Sequence, residues 1–261
     1  MSGNTVAGVD WASGDWLAIV FENEEPVDYL LENDFSAIPE SHRDFHRILI
    51  DIPIGLPHDD ETLEKREKLD SAARTATGRS SSVFPVPSRA ACQKAMEGKD
   101  YETVVHQNQE DLTKGLTWQS YYIAAGIGEL DDYLKDNEAA KETIVESHPE
   151  VCFWGLLGHQ LSHSKKSAPG IGERLAALDE HLDDPEAVFG QICRDLMGQE
   201  TDLDTDDVID ALGLAVVAGH SQKELRFLPD GEECFDGEGL PIQMAYWSEE
   251  SPMTHSSTIK E

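Results

Sequence analysis

Short apolar runs alternate with polar turns over the first fifty residues, and this pattern predicts strands. The run at 5–10 is followed by a small polar turn and a second run at 16–21, which together predict a β-hairpin. A β-branched run at 47–51 stops before Pro53 and Gly55, as a buried strand does. The predicted strands of this half are 5–10, 16–21, 27–31 and 47–51, with a short helix within 36–45.

From residue 59 to about residue 136 the pattern becomes helical. Helices are predicted over 61–77, 101–112 and 116–134, with a break at 78–88 where glycine and prolines interrupt the pattern. This is too much chain for one crossover between strands, so we expect an insertion packed beside the sheet.

The second half contributes one more strand and a helix that closes the sheet. The strand is predicted at 142–146, followed by a helix start with a Ser147/Glu150 capping box and Pro149 in the first turn. A buried helix is predicted over 204–219, and a hairpin over 225–228 and 242–247. We therefore expect one domain over 1–247 and a frayed polar tail over 248–261.

Carboxylates end three of these strands and begin the closing helix. Asp10, Asp51 and Glu146 each follow an apolar run, and Asp207 and Asp210 share a face of the helix. The alternatives are structural: Asp51 starts a turn, and Asp207 favours the positive end of the helix dipole. Asp210 is the only charge between residues 208 and 219, so it needs a partner if buried.

Carboxylates brought together in this way require a cation, because their mutual repulsion otherwise raises their pKa values. Oxygen-only ligand sets suit Mg²⁺ or Mn²⁺. Two such ions can stabilise the attacking and leaving oxygens of a phosphodiester. His159 and His163 have a zinc-like i,i+4 spacing but no third ligand nearby, which makes zinc a weaker hypothesis.

The chain has a formal net charge of −32 over 261 residues. At molar salt the Debye length falls to about 3 Å and self-repulsion is screened, so a halophilic source is the simplest interpretation. An acidic regulatory protein is the alternative. The four cysteines show no pairing pattern, and no apolar run reaches membrane-spanning length. We expect a soluble cytoplasmic protein.

Residues 65–94 are unusual in this acidic chain, since they hold seven basic and two acidic side chains. Helix ion pairs explain part of this, because Asp70 lies four residues from both Arg66 and Arg74. The remainder predicts an anionic ligand, with phosphate favoured. The predicted substrate contacts are Arg74, Arg79 and Arg89, together with a second basic group of Lys165, Lys166 and Arg174.

The order strand–Asp, strand–Asp, strand–Glu and a helix with Asp207-x-x-Asp210-Ala-Leu resembles the ribonuclease-H-like superfamily, most closely its Holliday-junction resolvase branch. Within it, the chain is similar to the domain of unknown function 429 family, described as predicted ribonuclease-H-like nucleases. The matching motifs are GVDWA (8–12), IDIPIGLP (50–57), the stretch 66–89 with GRSSSVFPVPSR, ESHPEVCF (146–153), SKK with a following Gly and Arg (164–174) and DDVIDALGLA (206–215).

This resemblance implies an α/β fold with a five-stranded mixed sheet flanked by helices. It also implies that Asp10, Asp51, Glu146 and one of Asp207 and Asp210 are metal ligands. The long helical insertion departs from the minimal fold, so the substrate does not follow from better-known relatives.

Three functions remain open from the sequence. The first is a metal-dependent nuclease acting on DNA or RNA with Mg²⁺ or Mn²⁺. The second is an actin-like phosphotransferase, although no second glycine-rich phosphate turn follows in the later half. The third is a binding module without catalysis. The sequence also leaves open whether the chain forms a homo-oligomer.

Overall fold

A five-stranded mixed sheet forms the centre of the molecule. The computed structural model describes residues 4–42, 44–78, 83–196, 202–221, 224–231 and 233–249. The strands are β1 (Thr5–Ala12), β2 (Asp15–Glu22), β3 (Glu25–Glu32), β4 (Phe45–Ile50) and β5 (Ile144–Glu146), in the order β3-β2-β1-β4-β5. The pairs β1–β4 and β4–β5 are parallel, and the pairs with β2 are antiparallel.

Helices cover both faces of this sheet. They are α1 (Ala37–Ser41), α2 (Asp60–Thr77), α3 (Arg89–Met96), α4 (Tyr101–Leu112), α5 (Trp118–Asp136), α6 (Ala140–Thr143), α7 (Pro149–Leu157), α8 (Ala168–Leu178), α9 (Pro185–Leu196) and α10 (Thr205–Gly219). A separate antiparallel pair is formed by β6 (Leu225–Leu228) and β7 (Met244–Trp247). This architecture is consistent with a ribonuclease-H-like fold and confirms the predicted fold class. None of the described helices combines the length and the apolar character needed to cross a bilayer.

The pleat of the sheet separates two apolar cores, because successive side chains of a strand point to opposite faces. Val6 and Leu49 belong to the core that α10 covers. Val9 and Ile50 belong to the core that α5 covers. The face on which a strand-end side chain lies therefore follows from its register with these residues.

Gly8 permits an unusually close approach of α10 to β1. A Cβ atom at Gly8 would lie 2.2 Å from the carbonyl oxygen of Ala211 and 2.2 Å from the amide nitrogen of Ala215. Any side chain here would push the helix outward. The glycine therefore fixes how near the residues of α10, including Asp210, come to the end of β1.

The helix predicted after β5 starts one residue later than its sequence motif suggests. His148 is the N-cap, and its Nδ1 accepts a hydrogen bond from the Glu150 amide at 3.1 Å. Ser147 instead continues the extended chain, pairs with Ala245 and donates its hydroxyl to the Ala245 carbonyl at 2.7 Å. The predicted Ser147/Glu150 capping box is wrong, because Ser147 is still part of the sheet edge.

Candidate functional site

A cleft of 240 Å³ opens at the carboxyl ends of β1 and β4. Its wall carries four of the five predicted carboxylates, and Asp210 lies buried next to it. The ionisable groups that line the cleft are Asp10, Asp51, Arg66, Glu146, His148, Lys165 and Asp207.

Asp10 and Asp51 lie side by side on the α10 face of the sheet. Val9 is in register with Ile50, and the Asp51 amide donates to the Val9 carbonyl at 2.9 Å. The residues that follow in the two strands are Asp10 and Asp51. Burial, followed by the charges of Asp51 and Asp210, raises the pKa of Asp10 well above its ordinary value. Burial also raises the pKa of Asp51, although His148 and Lys165 oppose the shift.

Asp210 reaches the same two carboxyls from α10. Its side chain is 1% exposed, and burial raises the pKa of Asp210 to about 7 although Lys165 opposes the shift. The carboxylate oxygen Oδ2 accepts a hydrogen bond from the Lys165 ammonium. The other oxygen, Oδ1, is buried and finds no hydrogen-bond partner among the described residues. A buried oxygen without a partner is costly, so this atom points to a missing donor or cation.

Lys165 is the positive charge of this group. Besides Asp210, its Nζ lies 3.5 Å from Asp206 Oδ2. Burial disfavours the charged form, but the nearby Asp210 and Asp10 carboxylates more than offset this and raise the pKa of Lys165. Lys166, its neighbour in the predicted basic group, is 69% exposed and lies 3.8 Å from the same Asp206 oxygen. The two lysines therefore occupy different environments, and of the two only Lys165 contacts Asp210.

Glu146 lies in the same cleft but belongs to the opposite face of the sheet. Its register partner is Ile50 and not Asp51, so its side chain points away from the face that carries Asp10. There Arg66 donates to both of its oxygens, at 2.7 and 2.5 Å, and the Ile54 amide donates at 2.7 Å. Glu146 therefore shares the cleft with the aspartates, but it lies on the other face of the sheet and its charge is paired with Arg66.

Asp207 has a structural role at the start of α10. Its Oδ2 accepts a hydrogen bond from the Asp204 amide at 2.8 Å, which completes a capping box with Asp204 as the N-cap. The side chain also lines the cleft. Asp210 is therefore better placed than Asp207 to act with Asp10 and Asp51.

Most of the predicted phosphate contacts are engaged within the protein. Arg89 donates to Asp131 at 2.8 Å and to Asp236 at 2.5 Å. Arg174 is fully buried and pairs with Glu150. In this acidic chain, these two arginines neutralise buried carboxylates.

Arg74 and Arg79 differ from Arg89 and Arg174. Arg74 donates to the Val83 carbonyl at 2.9 Å and lies 4.0 Å from Asp70, so helix ion pairing accounts for part of its interactions. Arg79 lies outside the described residues.

Arg66 and His148 belong to the site but are not among the predicted site residues. The spacing of Arg66 to Asp70 predicts a contact that exists at 3.0 Å, but nothing local indicates the pair of Arg66 with Glu146. His148 enters the sequence-based prediction only within the ESHPEVCF motif, although it opposes the rise in the pKa of Asp51. Its place two residues after a strand-ending glutamate is the signal that could have identified it.

Asp10, Asp51 and Asp210 fit a divalent metal ion in chemistry, since they offer only oxygen donors and one of these is unpartnered. Within the described ranges, no group of three His, Cys, Asp or Glu side chains is suited to hold an ion. Lys165 supplies the positive charge instead. Glu146 does not fit, because its oxygens are taken by Arg66.

The model of a family described as "Protein of unknown function (DUF429)" matches residues 8–233. No curated protein and no solved structure matches the chain.

Proposed function

The chain belongs to the DUF429 family, and we propose that it is a metal-dependent phosphodiester hydrolase that acts on nucleic acid. The observation that carries the proposal is the grouping of Asp10, Asp51 and Asp210 around one ammonium group in a surface cleft. Three acids with raised pKa values in one place are typical of a functional site, since a stable fold avoids such a grouping.

In this proposal Asp10, Asp51 and Asp210 hold Mg²⁺ or Mn²⁺. When bound, such an ion polarises a phosphoryl oxygen and lowers the pKa of a bound water. Lys165 balances the acids in the metal-free protein. Its side chain is 31% exposed, so it can leave Asp210 for the cleft and bind a phosphate oxygen there.

The remaining residues of the cleft surround the three aspartates. Arg66 holds Glu146 on the other face of the sheet, so this carboxylate does not compete for the ion. Trp11 and Ile123 supply apolar wall, which limits the water that reaches the carboxylates. The proposed catalytic set is therefore smaller than the sequence predicted.

We also infer adaptation to high salt from the net charge of −32. Long-range attraction of nucleic acid is then screened. The substrate must be bound by short-range contacts, such as those between a metal ion and a phosphate. These contacts are compatible with a negatively charged protein.

A cleavage assay tests the proposal. The protein is incubated with Mg²⁺ or Mn²⁺ in high KCl with single-stranded DNA, duplex DNA, branched DNA and RNA, and with ATP as the alternative phosphoryl substrate. We expect metal-dependent cleavage of a nucleic acid that Asp51→Asn abolishes and that Asp60→Asn, at an exposed position nine residues later, leaves unchanged. Cleavage that survives Asp51→Asn, or turnover of ATP alone, would overturn it.

A further inference from the structure

Four aromatic side chains of the helical insertion form one cluster, which we call the aromatic platform: Tyr101, Trp118, Tyr121 and Tyr122. Tyr101 and Trp118 are stacked with ring centroids 3.9 Å apart and planes at 12°. Tyr121 stands nearly perpendicular to both of these rings, at 89° and 87°. Tyr122 lies 6.0 Å from Trp118.

The inner rings of the platform are fixed by hydrogen bonds, whereas the outer rings face solvent. The Tyr101 hydroxyl donates to the Leu116 carbonyl at 2.7 Å, and the Tyr121 hydroxyl donates to the Lys99 carbonyl at 3.0 Å. Trp118 is 53% exposed and Tyr122 is 68% exposed. Trp118 is thus held in place by stacking on the fixed ring of Tyr101, which lowers the entropy cost of binding a flat ligand.

The platform lies on the helix that forms part of the cleft wall. Ile123, the residue after Tyr122, lines the cleft, and Gly126 of α5 packs against Trp11. Trp118 is five residues before Ile123, about 7.5 Å along the helix axis. A ligand that extends from the cleft toward the first turns of α5 would come close to the exposed rings.

The size of the platform argues against a protein partner. An aromatic side chain buries about 150–250 Å² when covered, whereas a stable protein interface buries about 800 Å² on each partner. Among the described residues, the other large exposed hydrophobic side chains are Val27, Met96 and Phe235. Two neighbouring rings match the faces of two nucleobases in area and shape.

The net charge of the protein also favours nucleobases as ligands of the aromatic platform. Several of the basic residues expected to attract phosphates are used in internal ion pairs, as Arg89 and Arg174 illustrate. A protein of net charge −32 gains little from long-range attraction of a polyanion. Stacking of bases on aromatic rings needs no charge, and high salt does not screen it.

We propose that Trp118 and Tyr122 bind unpaired bases of the substrate strand by stacking. This inference rests on the proposed function and names its substrate class: single-stranded nucleic acid, or a strand with unpaired bases next to the cleavage position. The bases of a closed duplex already stack on one another, so the platform selects against it.

The test is binding without cleavage. Metal-free protein in EDTA and about 2 M KCl is titrated into a labelled thymidine or uridine oligomer of about eight nucleotides, followed by fluorescence polarisation. We expect Trp118→Ala and Tyr122→Ala each to weaken binding by about tenfold and Trp118→Phe to retain most of the affinity. Phe235→Ala removes an aromatic side chain of similar exposure, 45%, outside the platform, and should leave binding unchanged.

The possible results separate this inference from the proposed function. Loss of binding in Trp118→Ala and Tyr122→Ala supports the platform even if the protein cleaves nothing. The inference is overturned if both variants bind the oligomer as tightly as the unchanged protein, even when that protein cleaves nucleic acid. It is also overturned if the unchanged protein binds no oligomer, or binds a blunt duplex more tightly. Reduced self-association of Trp118→Ala at unchanged oligomer affinity would overturn it too, and would assign the rings to a contact between copies.

Discussion

Arg66 donates to both carboxylate oxygens of Glu146, at 2.7 and 2.5 Å, and both side chains are buried. The same guanidinium also binds Asp70 at 3.0 Å. This pair connects α2, in the helical insertion, with the end of β5. It removes Glu146 from the set of free acids and fixes one wall of the cleft.

Replacing Arg66 by methionine should destabilise the fold strongly. The substitution leaves Glu146 buried without its cation, and breaking a buried ion pair in this way costs about 3–5 kcal/mol. Lys65→Met is the matched control, because Lys65 pairs with the exposed Glu61 at 2.8 Å and such surface pairs contribute about 0–1 kcal/mol. Urea unfolding of both variants measures the difference. Similar losses in the two variants would contradict a structural role for the Arg66–Glu146 pair.

Asp10→Asn should stabilise the metal-free protein. The ionised Asp10 is buried and repelled by Asp51 and Asp210, and asparagine removes this charge. We expect a gain of about 1 kcal/mol, which raises the melting temperature of a chain of this size by about 2–4 °C. Melting curves at pH 8 in EDTA measure it, with Asp60→Asn as the exposed control.

In excess Mg²⁺ the unchanged protein should be more stable than Asp10→Asn. Bound ligand stabilises only the protein that binds it, so the unchanged protein should gain melting temperature and Asp10→Asn should not. An equal gain in both proteins would show that Asp10 is not a ligand.

Lys165→Met should increase the affinity for Mg²⁺ or Mn²⁺ by about tenfold, because the ammonium and the metal ion compete for the same carboxylates. The control is Lys166→Met, where the side chain is 69% exposed and does not contact Asp210. Isothermal titration calorimetry gives both affinities. Unchanged or weaker metal binding in Lys165→Met would mean that Lys165 supports the site and does not compete with the ion.

His220 should make stability depend on pH in the acid range. Burial, and then the charges of His181 and Arg47 against that of Glu224, lower the pKa of His220 to about 4. An unfolded histidine has a pKa of about 6.5, so the unfolded chain binds the proton more readily between these values. The stability that neutral His220 contributes is therefore lost as pH falls from about 6.5 to about 4.

Unfolding midpoints at several pH values test this expectation. His220→Gln should flatten the slope over that range, and His106→Gln, at a side chain that is 72% exposed, should not change it. The carboxylates titrate in all three proteins, so their contribution cancels in the comparison. A slope that is the same in His220→Gln would contradict the assignment.

Salt should stabilise the whole chain. Screening of a net charge of −32 reduces the self-repulsion of the folded protein, so the melting temperature should be higher in about 2 M KCl than in about 0.05 M KCl. Sucrose at equal osmolality is the control for general solute exclusion. An equal or higher melting temperature at low salt would remove the inference of salt adaptation.

The strands and the positions of the strand-end carboxylates could be predicted because both depend on neighbours in sequence. Apolar runs predict β1 and β4, and parallel pairing then places Asp10 beside Asp51. The face of the sheet on which Glu146 lies could not be predicted in this way. Its face depends on a register of one residue against Ile50, and a shift of one residue moves a side chain to the other face.

The partners of the charged residues could not be predicted from sequence, because they come from distant segments. Arg66 meets Glu146 across 80 positions, and Arg89 meets Asp236 across 147. The basic stretch at 65–94 therefore suggests a phosphate site, whereas the fold brings acids to several of its cations. The sequence singles out Lys165 as a basic residue of interest, but its contact with Asp210 depends on how α10 packs on the sheet.

Because Gly8 has no side chain, it influences which size of divalent ion the proposed metal site accepts. Asp10 is two residues beyond Gly8 in β1, and Asp210 precedes Ala211, whose carbonyl oxygen lies 2.2 Å from the point that a Cβ atom at Gly8 would occupy. In the proposed site, the gap between these two carboxylates is therefore set by how closely two backbones approach. Mg²⁺ requires oxygens at about 2.0–2.1 Å, whereas Ca²⁺ accepts about 2.3–2.6 Å. Discrimination between small and large divalent ions would then depend on one missing methyl group, outside the coordination sphere.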